Sequence, residues 1–221
     1  MNGVIRGIIK LFVLVFLLNA HIYAFAEDED TVYFQENFNA LAAGSVPSML
    51  DTLVNEKTAM YIEERSKTDK CLVLEGTANN LFVQSTYRSA LSGKIYFSVD
   101  LDFAKINPSA LMIELRDSGG NSNVVLRCQN GVILGVGKTY AAKYIENKVC
   151  RIEFEMDYDT GKISMWINGK QVSKNCSLGG LTDMYFVRIQ LTQISSYSKV
   201  GIDNILLRSG IRKEQTQASG T

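Results

Sequence analysis

The stretch RIEFEMDYDTGKISMWINGK, from Arg151 to Lys170, has the pattern of two β-strands joined by a turn. Apolar residues occupy every second position on both sides of Asp159-Thr160-Gly161, which is typical of half-buried strands. Asn168-Gly169 follows the second apolar run, and both residue types accept the positive φ that a tight hairpin turn needs. The stretch therefore predicts a β-hairpin with a second turn directly after it.

The predicted hairpin separates an apolar face from a polar one. With Thr160-Gly161 at the centre of the turn, Phe154 lies opposite Ile167 and Glu155 lies opposite Trp166, and such cross-strand pairs stabilise a sheet. The polar face then consists of one aromatic ring, three carboxylates, one amide and one hydroxyl: Glu153, Glu155, Asp157, Ser164, Trp166 and Asn168. The only tryptophan of the chain thus stands among acidic side chains.

The same alternation recurs along the chain from residue 31 onward, and Lys94–Phe103 is its clearest example. Similar runs, separated by Gly, Asn, Asp and Ser, predict strands at Val32–Phe38, Thr58–Glu63, Cys71–Glu75, Leu81–Tyr87, Ala110–Arg116, Asn123–Cys128, Val132–Val136, Val149–Tyr158, Ile163–Ile167, Tyr185–Thr192 and Val200–Leu207. No internal helix is predicted. The pattern indicates an all-β fold, an antiparallel β-sandwich or jelly roll of about twelve short strands.

Residues 1–26 have the order of a secretory signal peptide. Arg6 and Lys10 precede an apolar run, and Ala24-Phe25-Ala26 fits the small-x-small cleavage rule. The apolar run is shorter than the roughly 20 residues of a membrane-spanning helix. We therefore expect a secreted, extracellular protein that does not span a membrane after signal removal. Its sandwich domain is expected at 27–208 and a polar, flexible tail at 209–221.

The composition excludes several classes of function. The 23 Lys plus Arg balance the 23 Asp plus Glu, which argues against a nucleic-acid partner bound through charge. The one histidine, His21, lies in the predicted signal peptide, so histidine-dependent hydrolysis and His-ligated zinc are not expected in the exported protein. Cys71, Cys128, Cys150 and Cys176 are compatible with disulfides in an oxidising compartment and equally with buried free thiols.

Several motifs resemble those of a known family. The D-T-G-K turn, the strand ending I-N-G-K and the closing strand K-V-G-I-D-N-I-L-L at 199–207 resemble the second half of concanavalin A-like lectin/glucanase domains, the laminin-G-like jelly rolls of secreted bacterial proteins. The opening E-N-F-N-A-L-A-A-G-S-V-P, Glu36 to Pro47, resembles their first strand and loop. The resemblance covers nearly the whole expected mature chain. It implies a jelly roll that binds glycans or proteins or, in some members, hydrolyses glycosidic bonds.

The polar face of the hairpin is the predicted ligand-binding site. Sugars present apolar C–H faces and many hydroxyls, so their sites combine an aromatic platform with short polar side chains. Trp166 with Glu155, Asp157 and Asn168 supplies that combination, although a single tryptophan on a hairpin is as often a packing residue. The sequence predicts a non-catalytic module for an extracellular or cell-wall glycan. Adhesion to an extracellular protein is the alternative.

A glycoside hydrolase is the second alternative. Glu153, Glu155 and Asp157 alternate along one strand, which spaces neighbouring carboxylates by about 6.5–7 Å, within the range that glycosidases use. The glucanases of the resembled superfamily have an E-x-D-x-x-E pattern on the catalytic strand, and E-F-E-M-D-Y-D departs from it. We expect no catalytic residues, and these three carboxylates are the only weak candidates.

A structural Ca²⁺ is the one cofactor that the sequence suggests. Jelly-roll modules often carry such an ion, and the hard oxygen ligands of Asp, Asn and Glu suit it. Glu36 in the first strand would approach Asp203 and Asn204 in the last strand if these strands pair. The chain has no contiguous acidic loop of the D-x-D-x-D-G kind, so these three residues are candidates only.

Overall fold

The structure is a computed structural model that describes residues 30–54, 57–77, 81–105, 111–129, 131–138, 140–192 and 197–213. The chain divides into two compact units, Met1–Thr31 and Val32–Thr221. The predicted signal peptide at 1–26 lies outside the described residues. The fold that the described residues form is therefore the fold of the second unit.

The second unit consists of β-strands because its alternating apolar residues let each strand bury one face. Its described residues form fifteen strands: β1 Val32–Glu36, β2 Asp51–Leu53, β3 Thr58–Ser66, β4 Asp69–Gly76, β5 Leu81–Leu91, β6 Lys94–Lys105, β7 Leu111–Arg116, β8 Ser122–Gln129, β9 Val132–Leu134, β10 Tyr140–Lys143, β11 Val149–Asp157, β12 Lys162–Ile167, β13 Lys170–Ser177, β14 Met184–Leu191 and β15 Ser198–Ser209. The described residues contain one helical segment, a short 3₁₀ turn at Val136–Lys138. In this part of the chain no helix has the length and apolar character needed to cross a membrane.

The strands form two antiparallel sheets. The eight-stranded sheet has the order β13-β12-β11-β6-β15-β4-β3, and β1 also pairs with β15. The seven-stranded sheet has the order β10-β9-β8-β7-β14-β5-β2. Strands distant in sequence, such as β6 and β15, lie side by side, as in a jelly roll. The predicted all-β antiparallel sandwich is confirmed.

All twelve predicted strands are present, and three further strands are not predicted from the sequence: β2, β10 and β13. Each of the three lies at the edge of a sheet. An edge strand buries less surface than a central one, so its sequence needs little apolar alternation and is often polar. The sequence KQVSKNCS of β13 is an example, because most of its side chains are exposed or half-buried.

The strands β6 and β11 fill the middle of the core. Phe97 of β6 and Phe154 of β11 are fully buried, and their stacked ring centroids lie 6.2 Å apart. Truncation of such a core aromatic ring to alanine typically costs about 3–5 kcal/mol. The residues between these core positions point to the opposite side of the eight-stranded sheet, which we call the outer face of that sheet.

The register of the β11–β12 hairpin differs from the predicted one by two residues. Phe154 pairs with Met165 instead of Ile167, and Glu153 instead of Glu155 pairs with Trp166. The predicted two-residue turn is a four-residue loop, Tyr158–Gly161, with its positive φ of 65° at the last position. The shift is an even number of residues, so every side chain keeps its predicted face.

The second turn forms as predicted. Asn168 and Gly169 have φ values of 50° and 78°, and Ile167 pairs directly with Lys170 across them. Two consecutive positive φ angles define the turn type that matches the twist of paired strands. The turn therefore fixes where β13 begins.

The four cysteines are all free thiols. Cys128 and Cys150 lie in the core, as their position in the apolar alternation predicts. Burial raises the pKa of both thiols and of the Cys71 thiol, for Cys71 and Cys150 to about 11. Cys176 is half-buried on the edge strand β13. Of the two arrangements compatible with the sequence, the structure has the unbridged one.

Candidate functional site

The outer face of the eight-stranded sheet carries the residues that the sequence singles out. On β11, Ile152, Phe154 and Met156 are core residues, so Glu153, Glu155 and Asp157 alternate with them onto the outer face. On β12, the core residues Met165 and Ile167 flank Trp166 and place it on the same face. The structure therefore brings the predicted carboxylates and the tryptophan onto one surface.

Glu153 is the least accessible of these carboxylates, since its residue is only 4% exposed. Its Oε1 accepts a hydrogen bond from Tyr96 Oη at 2.7 Å and another from Arg212 Nε at 3.0 Å. Burial and the hydrogen bond to Glu153 raise the pKa of the Tyr96 hydroxyl. A buried carboxylate needs such partners. Glu153 thus binds two side chains of its own chain, which is a structural role.

Trp166 is half-buried, and the guanidinium of Arg212 lies over its ring at 5.3 Å from the centroid. This distance is within the range of a cation–π interaction. The same Arg212 side chain binds Glu153, the cross-strand partner of Trp166. One arginine therefore covers the predicted aromatic platform and neutralises the carboxylate beside it.

The segment after β15 brings Arg212 to this surface. Arg208 holds it with hydrogen bonds from Nη1 to Ser209 O at 2.9 Å and from Nη2 to Ile211 O at 2.7 Å. The backbone N–H of Arg212 also donates to Glu155 Oε2 at 3.0 Å. Residues 211–213 of the predicted flexible tail thus have defined contacts, and residues 214–221 lie outside the described residues. No local sequence pattern predicts the contacts of Arg212, because a charged residue in a polar segment is ordinarily expected to be exposed to solvent.

A polar depression of about 350 Å³ lies beside this cluster on the same face. Glu155 and Asp157 line it together with Ser164 of β12 and Asn175 of β13, and its remaining lining residues are Lys94, Thr160 and Lys162. The described hydrogen bonds use one oxygen of each carboxylate: Glu155 Oε2 accepts from Arg212 N, and Asp157 Oδ1 accepts from Thr160 N at 3.1 Å. The depression therefore combines two carboxylates, two hydroxyls, an amide and two cations.

Asn168 does not line this depression. Its Oδ1 accepts a hydrogen bond from Arg151 N at 2.8 Å, and its own N–H donates to Arg151 O at 2.9 Å. The side chain thus extends the β11–β12 ladder past its last pair. The structure separates Asn168 from Glu155 and Asp157, with which the sequence grouped it.

The candidate calcium ligands have other partners. The first and last strands pair as the prediction requires, with Glu36 opposite Ile205. However, Glu36 Oε1 accepts a hydrogen bond from Phe38 N, whereas Asp203 Oδ2 lies 3.2 Å from Arg65 Nη1. Burial, opposed by the hydrogen bond from Asn204 N and by Arg65, raises the pKa of Asp203 to about 6.

Arg65 supplies the positive charge that a cation would bring to this place. Its guanidinium also lies 3.6 Å from Asp102 and 3.8 Å from Asp69. Asn204 adopts a φ of 47° at an irregularity of β15 and donates from Nδ2 to Asp100 Oδ2 at 2.8 Å. Among the described residues, no group of three His, Cys, Asp or Glu side chains is placed to hold a metal ion. The residues present do not fit a Ca²⁺ site.

The outer face of the seven-stranded sheet carries a different kind of cluster. Arg188 of β14 lies over the rings of Phe82 and Phe186, at 4.2 Å and 4.8 Å from their centroids. It also donates two hydrogen bonds to Gln84 Oε1, at 2.6 Å and 2.8 Å, and lies 3.6 Å from Glu114. The sequence does not reveal this cluster, since its members come from three strands that pair only in the folded sheet.

Comparison with known proteins places the chain by its fold. No protein-family model matches it, and no curated protein matches its sequence. Among solved structures it is similar to a sialidase, with a TM-score of 0.68 and 12% identity over 81% of this chain and 19% of that chain. It is also similar to the binding domain of botulinum neurotoxin DC in complex with rat synaptotagmin II, with a TM-score of 0.57 and 12% identity over 83% and 49% of the two chains.

A third similar structure is a protein of unknown function with a galectin-like fold from Bacillus subtilis. Its TM-score is 0.51 at 12% identity, over 83% of this chain and 98% of that one. The chain thus spans about a fifth of the sialidase and about half of the neurotoxin chain. These similarities confirm the concanavalin A-like, galectin-like jelly-roll fold that the motifs indicated.

Proposed function

We propose that this protein is a non-catalytic binding module for an extracellular or cell-wall glycan. The observation that carries the proposal is the polar depression lined by Glu155, Asp157, Ser164 and Asn175. Its volume of about 350 Å³ lies at the lower end of the range for ligand pockets, about 300–1,000 Å³. A carboxylate, a hydroxyl and an amide together accept and donate hydrogen bonds, as a ring of sugar hydroxyls requires.

The neighbours in fold support the coarser statement, a binding module. One of them is described as a binding domain in complex with rat synaptotagmin II, and another has a galectin-like fold. At 12% identity these similarities support the fold but do not identify a ligand. The choice of a glycan therefore rests on the chemistry of the depression.

The contacts of Glu153 favour binding over hydrolysis. Glycoside hydrolysis needs two carboxyl groups that both reach the scissile bond. Glu153 is buried and binds Tyr96 and Arg212 through one oxygen, so it does not face the depression with Glu155 and Asp157. A hydrolase at this depression would have to use Glu155 and Asp157, the two carboxylates that line it, and Arg212 N already donates to Glu155.

A protein partner is the second candidate, and exposed apolar residues favour it. Tyr140, Ile145 and Val149, within the segment from β10 to the start of β11, are each exposed by half or more. Large exposed apolar side chains that lie close together mark interaction surfaces more often than single ones do. Loss of binding to an extracellular protein on Ile145→Asp, without loss of glycan retention, would support this candidate.

Secretion is part of the proposal. The signal peptide predicted at residues 1–26 would release a chain that begins at Glu27. N-terminal sequencing of the protein recovered from the culture medium tests this directly. A first residue of Glu27 would support export with cleavage, whereas a chain that keeps residues 1–26 and stays with the cells would contradict it.

The glycan site is tested by an array of extracellular and cell-wall glycans, followed by titration calorimetry with the best-bound glycan. Asp157→Asn and Glu155→Gln are expected to weaken binding about tenfold or more, because charge-assisted hydrogen bonds to the sugar are lost. Asp159→Asn is the matched control, since Asp159 is exposed in the hairpin loop two residues from Asp157. Equal affinities for all four proteins, or no bound glycan, would contradict the proposal.

A further inference from the structure

Arg127 of β8 is a half-buried arginine without a hydrogen-bond or ion-pair partner among the residues that the structure describes. The other arginines with described side chains each donate to an oxygen atom: Arg65 to Asp203, Arg116 to Gly120, Arg151 to Asp100, Arg188 to Gln84, Arg208 to Ile211 and Arg212 to Glu153. A guanidinium group is always charged and has five donors. Arg127 therefore stands apart from the other arginines with described side chains.

The sheet around Arg127 offers it no carboxylate. Its cross-strand neighbours are Met112 on β7 and Leu134 on β9, both apolar. The acidic residue farther along the same face of β7, Glu114, lies 3.6 Å from Arg188. Among the described residues, no carboxylate therefore neutralises the charge of Arg127.

Arg127 borders a concavity of about 340 Å³ on the outer face of the seven-stranded sheet. Ser122, Asn123, Val124, Leu134, Gly135 and Gly137 line the remainder. The chain leaves β9 at Leu134 and turns beside the concavity, where Gly137 has a φ of 72°. A hydroxyl, an amide and two apolar side chains thus surround one unpaired cation.

Gly135 lets this turn pack closely on the core. A Cβ at this position would lie 3.1 Å from Met165 Sδ and 3.5 Å from Ser173 Oγ. A larger residue would therefore displace this turn or the side chains packed against it.

We propose that this concavity is a second binding site, specific for the carboxylate of an acidic sugar such as a uronic acid. The Arg127 guanidinium would hold the carboxylate by two parallel hydrogen bonds. Ser122 and Asn123 would bind the hydroxyls, and Val124 and Leu134 would contact the C–H face of the ring. This site lies on the opposite sheet from the depression at Glu155 and Asp157, and either site can fail experimentally without the other.

The test is a titration followed by NMR with ¹⁵N-labelled protein. Sodium glucuronate is expected to shift the Arg127 Nε–Hε signal and the amide signals of Asn123, Gly135 and Gly137 in a saturable manner. Glucose, which has a hydroxymethyl group in place of the carboxylate, is expected to bind at least about tenfold more weakly. Sodium acetate is also expected to bind more weakly than glucuronate, because it contacts neither Ser122 nor Asn123.

Variants separate recognition from general charge effects. Arg127→Gln is expected to abolish the glucuronate shifts, and Arg127→Lys to weaken binding about tenfold, since an ammonium group cannot replace the planar fork. Arg116→Gln, on the same sheet face, is the matched control and should bind as the unmodified protein does. Glucuronate shifts that persist in Arg127→Gln, equal binding of glucose or acetate, or no saturable shift at all would overturn the proposal.

Discussion

The outer faces of the two sheets differ in one arginine. On the eight-stranded sheet, Arg65, Arg151 and Arg212 each bind a carboxylate, and Glu153 is buried between Tyr96 and Arg212. On the seven-stranded sheet, Arg188 likewise lies beside Glu114, but Arg127 has no partner among the described residues and borders a concavity. Charges that bind each other stabilise the fold, whereas a charge left unpaired beside a cavity is available to a ligand. The comparison thus separates residues that hold the sandwich together from residues that can recognise something outside it.

The largest expected effect tests the paired face. Glu153→Ala removes the shared acceptor of Tyr96 and Arg212, and leaves both donors poorly satisfied at a buried position. We expect the free energy of unfolding to fall by about 3 kcal/mol, measured by urea denaturation. Glu64→Ala, at an exposed position of β3, is the control and should change it by less than about 0.5 kcal/mol. Similar small changes in both variants would show that the contacts of Glu153 do not stabilise the fold.

The next effect is a pH dependence on the same face. The pKa of Asp203 is raised to about 6 in the folded protein, above its ordinary value. The folded state therefore binds more protons than the unfolded state between about pH 4 and pH 6, and the contribution of Asp203 to the free energy of unfolding decreases by roughly 2–3 kcal/mol as the pH rises through that window.

Asp203→Asn removes this titration. Urea denaturation of both proteins over the same pH window measures their free energies of unfolding. As the pH rises, the free energy of unfolding of the variant should increase relative to that of the unmodified protein. Parallel pH profiles for the two proteins would contradict the raised pKa. The opposite trend would mean that Arg65 outweighs burial and lowers the pKa of Asp203.

A smaller effect distinguishes a turn residue from a ligand residue. Asn168→Ala loses the hydrogen bond to Arg151 N and places alanine at a positive φ, which should cost about 1 kcal/mol of stability. Because Asn168 lies outside the depression, glycan retention should be unchanged. If Asn168→Ala loses glycan retention while its free energy of unfolding is unchanged, Asn168 belongs to the binding site, as the sequence predicted.

The smallest expected effect tests the other face. Arg127→Gln removes a cation that has no partner among the described residues, so the free energy of unfolding should change by less than about 0.5 kcal/mol. Thermal unfolding followed by circular dichroism measures this directly. A loss as large as that of Glu153→Ala would mean that Arg127 is a structural residue and that the two faces do not differ in the way described.

The sequence predicts the sandwich well because alternation with a period of two fixes which side chains are buried. Phe97 and Phe154 reach the core for this reason, and Glu155, Asp157 and Trp166 reach the outer face. The register of the β11–β12 hairpin is less predictable, since D-T-G-K fits a two-residue turn as well as the observed four-residue loop. The three edge strands carry little apolar alternation and therefore give no signal.

The candidate sites depend on contacts that have no local pattern in the sequence. Arg212 covers Trp166 from a segment more than forty residues farther along the chain. Arg65 reaches Asp203 across the sheet and takes the place of the expected cation. The isolation of Arg127 is visible only when all of its neighbours are known, because a lone arginine in a strand usually finds a partner. Long-range pairing of charges is thus the part of the site that alternation cannot reveal.

The central claim is that this jelly roll binds a glycan without cleaving it. The most direct measurement incubates the purified protein with insoluble polysaccharides and determines, in the same tubes, the protein retained and the sugar released. We predict retention on at least one polysaccharide, no release above the level of a buffer blank, and reduced retention for Asp157→Asn. If sugar is released by the unmodified protein but not by Glu155→Gln, the claim is contradicted and the protein is a hydrolase. If no polysaccharide retains the protein, glycan binding itself is contradicted.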